Sequence, residues 1–299
     1  MKIVCVGHAA YDITMLVEKF IEENEKITVM ERLECGGGQA SNTAYLLGKW
    51  GMNPSFVGMI GRDFYGKQIR DEFRSVDVEI KNLEIQSEYV TPSSIILVNK
   101  QNGSRTVLKS ESEPISHAPV TLLEQPDILF FDGEELDASI SLLDQYPNAV
   151  MVLNAGKKSA GVLELLTRAN YVIASSSFAE AMTGLQFERG NSKNYYQLYQ
   201  GVKKKIKGKL IITLGEDGCI YEVEHEMKLM PAIDIEAVDT TGAGDVFAGA
   251  FLYGLANDMS YEETIKFANI AAGFSVSKLG TRNSMIGMDE LQKLYEQSK

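Results

Sequence analysis

The stretch Val238-Asp239-Thr240-Thr241-Gly242-Ala243-Gly244-Asp245-Val246-Phe247-Ala248-Gly249-Ala250-Phe251 runs from a polar, glycine-punctuated turn straight into a helix with almost no polar face. A helix that is apolar all round has to be covered on every side. The rest of the chain must therefore wrap it, and its polar N-terminal turn must lie at the inner end of an opening. Glycines in such a turn let the backbone approach a ligand closely, and the first-turn amides have no intrahelical partner. They point at an anionic oxygen, above all a phosphate. Asp245 places a carboxylate at the same spot, where it would repel that phosphate unless it had a chemical task. In phosphoryl transfer the protein mainly positions groups and neutralises charge, while one carboxylate takes the proton of the attacking hydroxyl. Asp245 is the candidate base, with Gly242, Ala243 and Gly244 as amide donors to the transferring group. The competing reading makes Asp245 an ordinary helix cap.

The 299 residues are enough for one large α/β domain or two modest ones. Lys and Arg number 29 against 41 Asp and Glu, a formal net charge of -12, which argues against broad electrostatic attachment to nucleic acid or an anionic membrane. A phosphate ligand then needs a local site. Cys5, Cys35 and Cys219 have no metal-type spacing and cannot all pair, so free thiols are expected. The opening Lys2-Ile3-Val4-Cys5-Val6-Gly7 is too short for a signal-peptide core, and no apolar run reaches the roughly 18 residues of a membrane helix. A cytoplasmic protein is the expectation.

Ile3 to Gly7 is a short buried strand closed by glycine, and Thr14 to Leu33 turns polar and β-branched, as an exposed hairpin would. A helix is expected from Ala40 to about Gly51 and a strand from Asn53 to Ile60. A second β-rich departure covers about 85–110, with Asn102-Gly103 as its hairpin turn. Strands are then predicted at Ile128–Asp132, Ala149–Leu153, Tyr171–Ala174 and Leu210–Leu214, separated by helices after Glu135, over Ala160–Ala169 and over Tyr195–Ile206. A hairpin over Cys219–Met230 leads into the glycine turn, and helices over Tyr261–Leu279 and Met288–Gln297 finish the chain. Regular alternation of this kind implies a mainly parallel sheet covered by helices on both faces, with ligands at the carboxyl ends of its strands. The economical architecture is a single α/β domain over 1–299, whose two excursions, about 13–34 and 85–110, pair into a small β lid.

Several motifs need weighing. Gly61-Arg62-Asp63-Phe64-Tyr65-Gly66-Lys67 has P-loop spacing, but Gln68 replaces the hydroxyl residue that holds Mg²⁺. Gly36-Gly37-Gly38 fails as a dinucleotide fingerprint because Ser41 occupies the third glycine position. It is better suited to close approach of the backbone to a polar ligand, with Asn42 offering both donor and acceptor. Asp12, soon after the first strand, can pin sugar hydroxyls or simply make a turn. Glu180 can orient hydrated Mg²⁺ or be a solvated charge. His8, His117 and His225 lack metal spacing and are taken as structural.

Taken together, the Gly37 and Asn42 segment near the start and Asp239 to Asp245 near the end resemble the two signatures of the ribokinase/PfkB carbohydrate kinases, in matching order over essentially the whole chain. The resemblance implies a three-layer ribokinase-like α/β body with a small β-sheet lid, ATP with Mg²⁺, and transfer of the γ-phosphoryl group to a sugar hydroxyl. It implies Asp245 as base, Gly242 to Gly244 as anion hole, and Asp12, Gly37, Gly38 and Asn42 on the sugar. Thr213, Gly215, Gly218 and Asn269 would then line the nucleotide, and Arg105 would reach the phosphates from the lid. Asp239, Thr241, Ser275, Gly280 and Ser284 fall where family members hold a monovalent cation such as K⁺. Ser177-Phe178-Ala179-Glu180 keeps the Glu of the family's Asn-x-x-Glu and loses its Asn. The lid segment is similar to that of ketohexokinases and fructokinase-like members. A ketohexose-like or ribose-like acceptor is expected, with a nucleoside kinase or a catalytically impaired sugar-binding homologue as alternatives, and with homodimerisation through the lid.

Overall fold

The first strand, β1 (Ile3–Val6), is buried on both faces, which is why it is apolar without alternation. In the computed structural model, which describes residues 1–113 and 115–298, it lies inside a nine-stranded sheet. The chain continues through β2 (Ala10–Val17), β3 (Glu31–Gly37), α1 (Gln39–Lys49), β4 (Ser55–Gly61), α2 (Phe64–Ser75), β5 (Glu79–Gln86), β6 (Ser93–Asn99) and β7 (Arg105–Ser110). It then alternates: β8 (Ile128–Phe131), α3 (Leu136–Gln145), β9 (Val150–Ala155), α4 (Ala160–Leu165), β10 (Tyr171–Ser175), α5 (Ser176–Thr183), α6 (Ser192–Lys203) and β11 (Lys209–Thr213). The hairpin β12 (Cys219–Val223) and β13 (Glu226–Met230) precedes α7 (Ala243–Ala256), α8 (Tyr261–Ser275), α9 (Thr281–Ser284) and α10 (Met288–Gln297).

The large sheet has the order β13-β12-β11-β10-β9-β8-β1-β4-β5. Its pairs from β5 to β11 are parallel, and the two edge strands β12 and β13 are antiparallel. Ile3 and Cys5 join the core beneath α1, α2, α7, α8 and α10, whereas Val4 and Val6 join the core beneath α3, α4, α5 and α6. Eight of the nine residues from Val246 to Gly254 are buried, as the absence of a polar face demands.

The two β excursions do pair into one sheet, in the order β3-β2-β6-β7, with β2 parallel to β6. Its first hairpin starts earlier than the polar composition suggested: β2 begins at Ala10 and is largely buried, and β3 runs on to Gly37. Ile85 and Gln86, expected in the second excursion, instead end β5 in the large sheet, because their backbone pairs with Ile60 and Gly61. Ile96, Val98 and Leu279 form a small core under the lid sheet. The helix expected to reach Leu279 stops at Ser275, where the Ser275 and Ser277 hydroxyls donate to the Ala272 and Phe274 carbonyls and compete with the helix ladder.

The P-loop look-alike has a plain physical explanation. Asp63 caps α2, accepting from the Gly66 amide at 2.8 Å and from the Thr91 amide and hydroxyl, both at 2.8 Å, so its own carboxylate fills the anion position. Burial alone would raise this carboxyl, but those hydrogen bonds outweigh it and hold it below the ordinary range. Lys67 points away to an exposed ion pair with Asp71. Asp63→Ala is expected to destabilise the protein by about 2–3 kcal/mol in urea unfolding, while Lys67→Ala changes stability by less than about 0.5 kcal/mol.

Candidate active site

Strand order reverses around β1: β4 and β5 lie on one side of it, β8 and its successors on the other. A crevice opens beyond the carboxyl ends of the strands at such a reversal. Asp132, immediately after β8, staples this point. It is buried, and one of its carboxylate oxygens accepts from the His8 amide at 2.9 Å and the Ala40 amide at 3.0 Å, tying the end of β1 to the start of α1. Burial pushes its carboxyl up to about 6, against the opposing pull of those amides. The crevice is a cavity of about 740 Å³, roofed by β6 and β7 of the small sheet.

The glycine turn lies at the inner end of this cavity. Gly242 has φ 76°, a left-handed conformation that a side chain resists, and the methyl of Thr281 fills the space where a Cβ would project. No hydrogen bond engages the amides of Gly242, Ala243 or Gly244 among the described residues, and Gly242 and Gly244 face the cavity. Asp245 does not cap the helix: α7 has no side-chain cap, and the carboxylate instead accepts from Asn42 Nδ2 at 2.8 Å. Burial is the main cause of a carboxyl raised to about 7, with the Asn42 hydrogen bond and the Arg105 charge opposing it and Asp132 and Asp12 reinforcing it.

The other expected residues divide. Asp12, Gly38 and Asn42 line the cavity beside Asp245. Asp12 is itself raised, by burial, and packs directly against the Gly37 backbone, which stands just behind the wall. Thr213 and Gly215 line the cavity at the end of β11, and the Arg105 guanidinium crosses from β7 to the Thr240 hydroxyl, bringing the lid tip onto the anion turn. Gly218 and Asn269 do not reach the wall. Gly218 supplies a carbonyl to the Leu214 amide, and the buried Asn269 amide donates to Pro231 O at 2.7 Å, tying α8 to the end of the β12–β13 hairpin.

Glu180 also lies off the cavity, accepting from the Phe187 amide at 2.7 Å to close the turn after α5. Among the described residues no cluster of His, Cys, Asp and Glu is arranged to hold a metal ion. Asp239 accepts from the Thr241 amide and hydroxyl through one oxygen and from the Gly280 amide at 2.9 Å through the other. The Ser275 and Ser284 hydroxyls donate to Ala272 and Thr281 carbonyls. These side chains are engaged in bracing the loop. His117 bridges Glu84 and Gly58, and His225 is fully exposed, so both are structural; the His8 ring, its pKa lowered by burial, lines the cavity. All three cysteines are free.

Three residues of this region were not singled out by sequence. Asp132 is one of many strand-end carboxylates, and nothing local marks its contacts with His8 and Ala40. Asn154, on β9, is buried on the cavity wall with its side-chain nitrogen unpartnered among the described residues. Arg282, on α9, is buried behind Asn42 and donates to it. A buried arginine 240 positions from its partner leaves no trace in sequence spacing.

Comparison with known proteins agrees with this geometry. Residues 1–286 match the model of the pfkB family carbohydrate kinases. A ribokinase from Haemophilus influenzae is 26% identical, the match covering 97% of each chain, and a nucleoside kinase from Methanocaldococcus jannaschii is 24% identical over 100% of this chain and 98% of that one. The structure of Arabidopsis thaliana ribokinase complexed with ribose and ATP superposes with a TM-score of 0.79 at 22% identity, covering 99% of this chain and 98% of the other. The fold is shared with that structure, and the match over residues 1–286 shows that the chain belongs to the pfkB family carbohydrate kinases.

Proposed function

We propose that the protein transfers the γ-phosphoryl group of ATP to a hydroxyl of a ribose-like or ketohexose-like sugar, with Asp245 as the general base. The observation that carries this reading is the pairing of a buried carboxylate with three unpartnered backbone amides at one helix start, on the cavity at the carboxyl ends of the strands. The sugar lies against Asp12, Gly38 and Asn42, so that its reacting hydroxyl faces Asp245. The γ-phosphoryl group approaches from the Thr213 and Gly215 side onto the amides of Gly242, Ala243 and Gly244. Charge that builds on it is met by those fixed donors and by Arg105, in a space from which the lid excludes water. Asn154 faces the same cavity and supplies one further donor. Mg²⁺ bound with the nucleotide would neutralise phosphate charge; among the described residues no cluster of His, Cys, Asp and Glu would cage it, and Glu180 is turned to the Phe187 amide.

A nucleoside acceptor is the second reading, favoured by the similarity to the Methanocaldococcus jannaschii nucleoside kinase. An ATP-consumption screen over D-ribose, D-fructose, sugar phosphates and adenosine separates the two: turnover confined to adenosine would replace the first reading with the second. The outer lid face exposes Ile95 and Leu108. A second copy covering them makes the protein a dimer, and a monomeric mass in light scattering excludes it.

The base assignment has sharp consequences. Asp245→Asn should lower kcat by roughly 10² to 10⁴ with sugar binding retained; near-normal turnover would sink the assignment. Because the carboxyl must be ionised to act and is raised to about 7, kcat/KM should climb through pH 7 and level off above it. Stability moves the other way. Between the ordinary carboxylate range and pH 7 the folded state holds a proton that the unfolded chain has lost, so unfolding free energy falls as pH rises through that window. Asp245→Asn removes this loss and should stabilise the protein at pH 8 by up to about 4 kcal/mol in urea unfolding.

A further inference from the structure

Arg282 is almost fully buried, yet it is absent from the cavity wall. Its guanidinium uses three nitrogens on three partners. Nη1 donates to Glu72 Oε2 on α2 at 2.6 Å, Nη2 to the Ser41 hydroxyl at 2.7 Å, and Nε to Asn42 Oδ1 at 3.3 Å. Its flat face lies 4.5 Å from the centre of the Tyr45 ring and 5.4 Å from that of Phe73. Glu72 is held in turn by the Gly36 amide, at 3.0 and 3.1 Å to its two oxygens. Gly36 itself must be glycine, since a Cβ there would meet the guanidinium at 2.4 Å. The fork is fixed in position and direction before any ligand arrives.

An asparagine side chain has one acceptor end and one donor end, and the two can exchange by rotation. Here one end faces a guanidinium, which only donates, and the other faces the Asp245 carboxylate, which when ionised only accepts. The reversed amide would set NH₂ against guanidinium and C=O against carboxylate, losing both hydrogen bonds and adding two repulsions. We propose that Arg282 is a positioning residue for the base: by holding the Asn42 carbonyl oxygen it commits the Asn42 NH₂ group to Asp245. This rests on the reading of Asp245 as base. A hydrogen bond donated to a carboxylate favours its ionised form, so Arg282 promotes ionisation of the base through Asn42 without touching substrate. Lysine cannot substitute, because a point ammonium that reaches Glu72 has no second nitrogen at the Nε position.

The charged groups around this relay are few. Asp132, just after β8, Asp12 on β2 and Arg105 on β7 act on Asp245, while Glu72, Cys35 and Tyr45 face Arg282 from α2, β3 and α1 and Asp12 is in its field as well. Arg282→Met also removes a positive charge, whereas Arg282→Lys keeps the charge and gives up the contact to Asn42, so a shift in Arg282→Lys is what reports the relay.

The test follows the Asp245 carboxyl by ¹³C NMR in protein labelled at aspartate, with Asp245→Asn assigning the resonance, and needs no acceptor. Arg282→Met keeps the length of the stem and frees the Asn42 amide. It should raise the Asp245 titration midpoint by roughly 1 to 2 pH units, the worth of one hydrogen bond to a charged group. Asn42→Ala should give a similar rise, and the double variant no further one, since the two act in series. Arg282→Lys should shift the midpoint in the same direction, and it decides the matter if Arg282→Met does not fold. With D-ribose and ATP, turnover of Arg282→Met should fall roughly 5- to 50-fold at pH 7 and recover towards pH 9. An unchanged midpoint in every Arg282 variant that folds, with activity lost equally at all pH values, would make Arg282 a purely structural ion pair and overturn the proposal. An active Asp245→Asn instead overturns the base assignment, and the midpoint still reports whether Arg282 governs that carboxyl.

Discussion

A carboxylate buried at the start of an apolar helix is the constraint on which the rest of this structure depends. Asp245 is buried at the first turn of α7, and an ion stripped of water is tolerated only where fixed dipoles replace it. Two sources do so here: the Asn42 amide and the Arg105 charge. The replacement is incomplete, which is why the carboxyl settles near neutrality rather than in the ordinary acid range. A fully compensated carboxylate would be a poor proton acceptor, and an uncompensated one would remain protonated. The partial compensation suits general-base work at neutral pH.

The same site explains the course of the chain. Elements from the two ends meet at the place where strand order reverses: β1 and α1 supply His8, Ala40 and Asn42, and the last third supplies Asp239, Asp245, Thr281 and Arg282. Three successive residues, Gly280, Thr281 and Arg282, each contact a different part of the site. The Gly280 amide meets Asp239, the Thr281 methyl fills the space beside Gly242, and Arg282 holds Asn42. One short turn thus braces the glycine turn before α7 and the start of α1 together. The lid closes the assembly from outside, with Arg105 reaching the Thr240 hydroxyl.

Sequence alone made legible whatever is local. The burial of α7, the strand-helix alternation, the Asn-Gly hairpin and the glycine turn before α7 all follow from neighbours within a few residues, where periodicity and turn chemistry operate. Residues joined by the fold were not legible. Asp132 and Arg282 act through partners more than 90 positions away, and their own neighbourhoods carry no signal. Errors of the opposite kind came from residue types whose chemistry is ambiguous. Glu180 and Asn269 have groups able to meet a metal or an adenine, yet both are spent on backbone amides and carbonyls beside them. The Gly61 to Lys67 segment shows the same ambiguity resolved by one carboxylate, since Asp63 occupies the place that a phosphate would take.

The separation between Ser41 and Arg282, 241 positions, has a meaning for biosynthesis. A chain emerging from the ribosome with its first half complete can form β1, α1 and the lid, but holds no partner for the Asn42 carbonyl and no covering for the sugar loop. Domains generally fold as units, so the cavity cannot be completed until the last third of the chain has been made. The final turn before α10 is what closes it. Loss of the last 20 residues would therefore remove the site along with the helix, leaving the anion turn without its brace and Asp245 without an oriented neighbour.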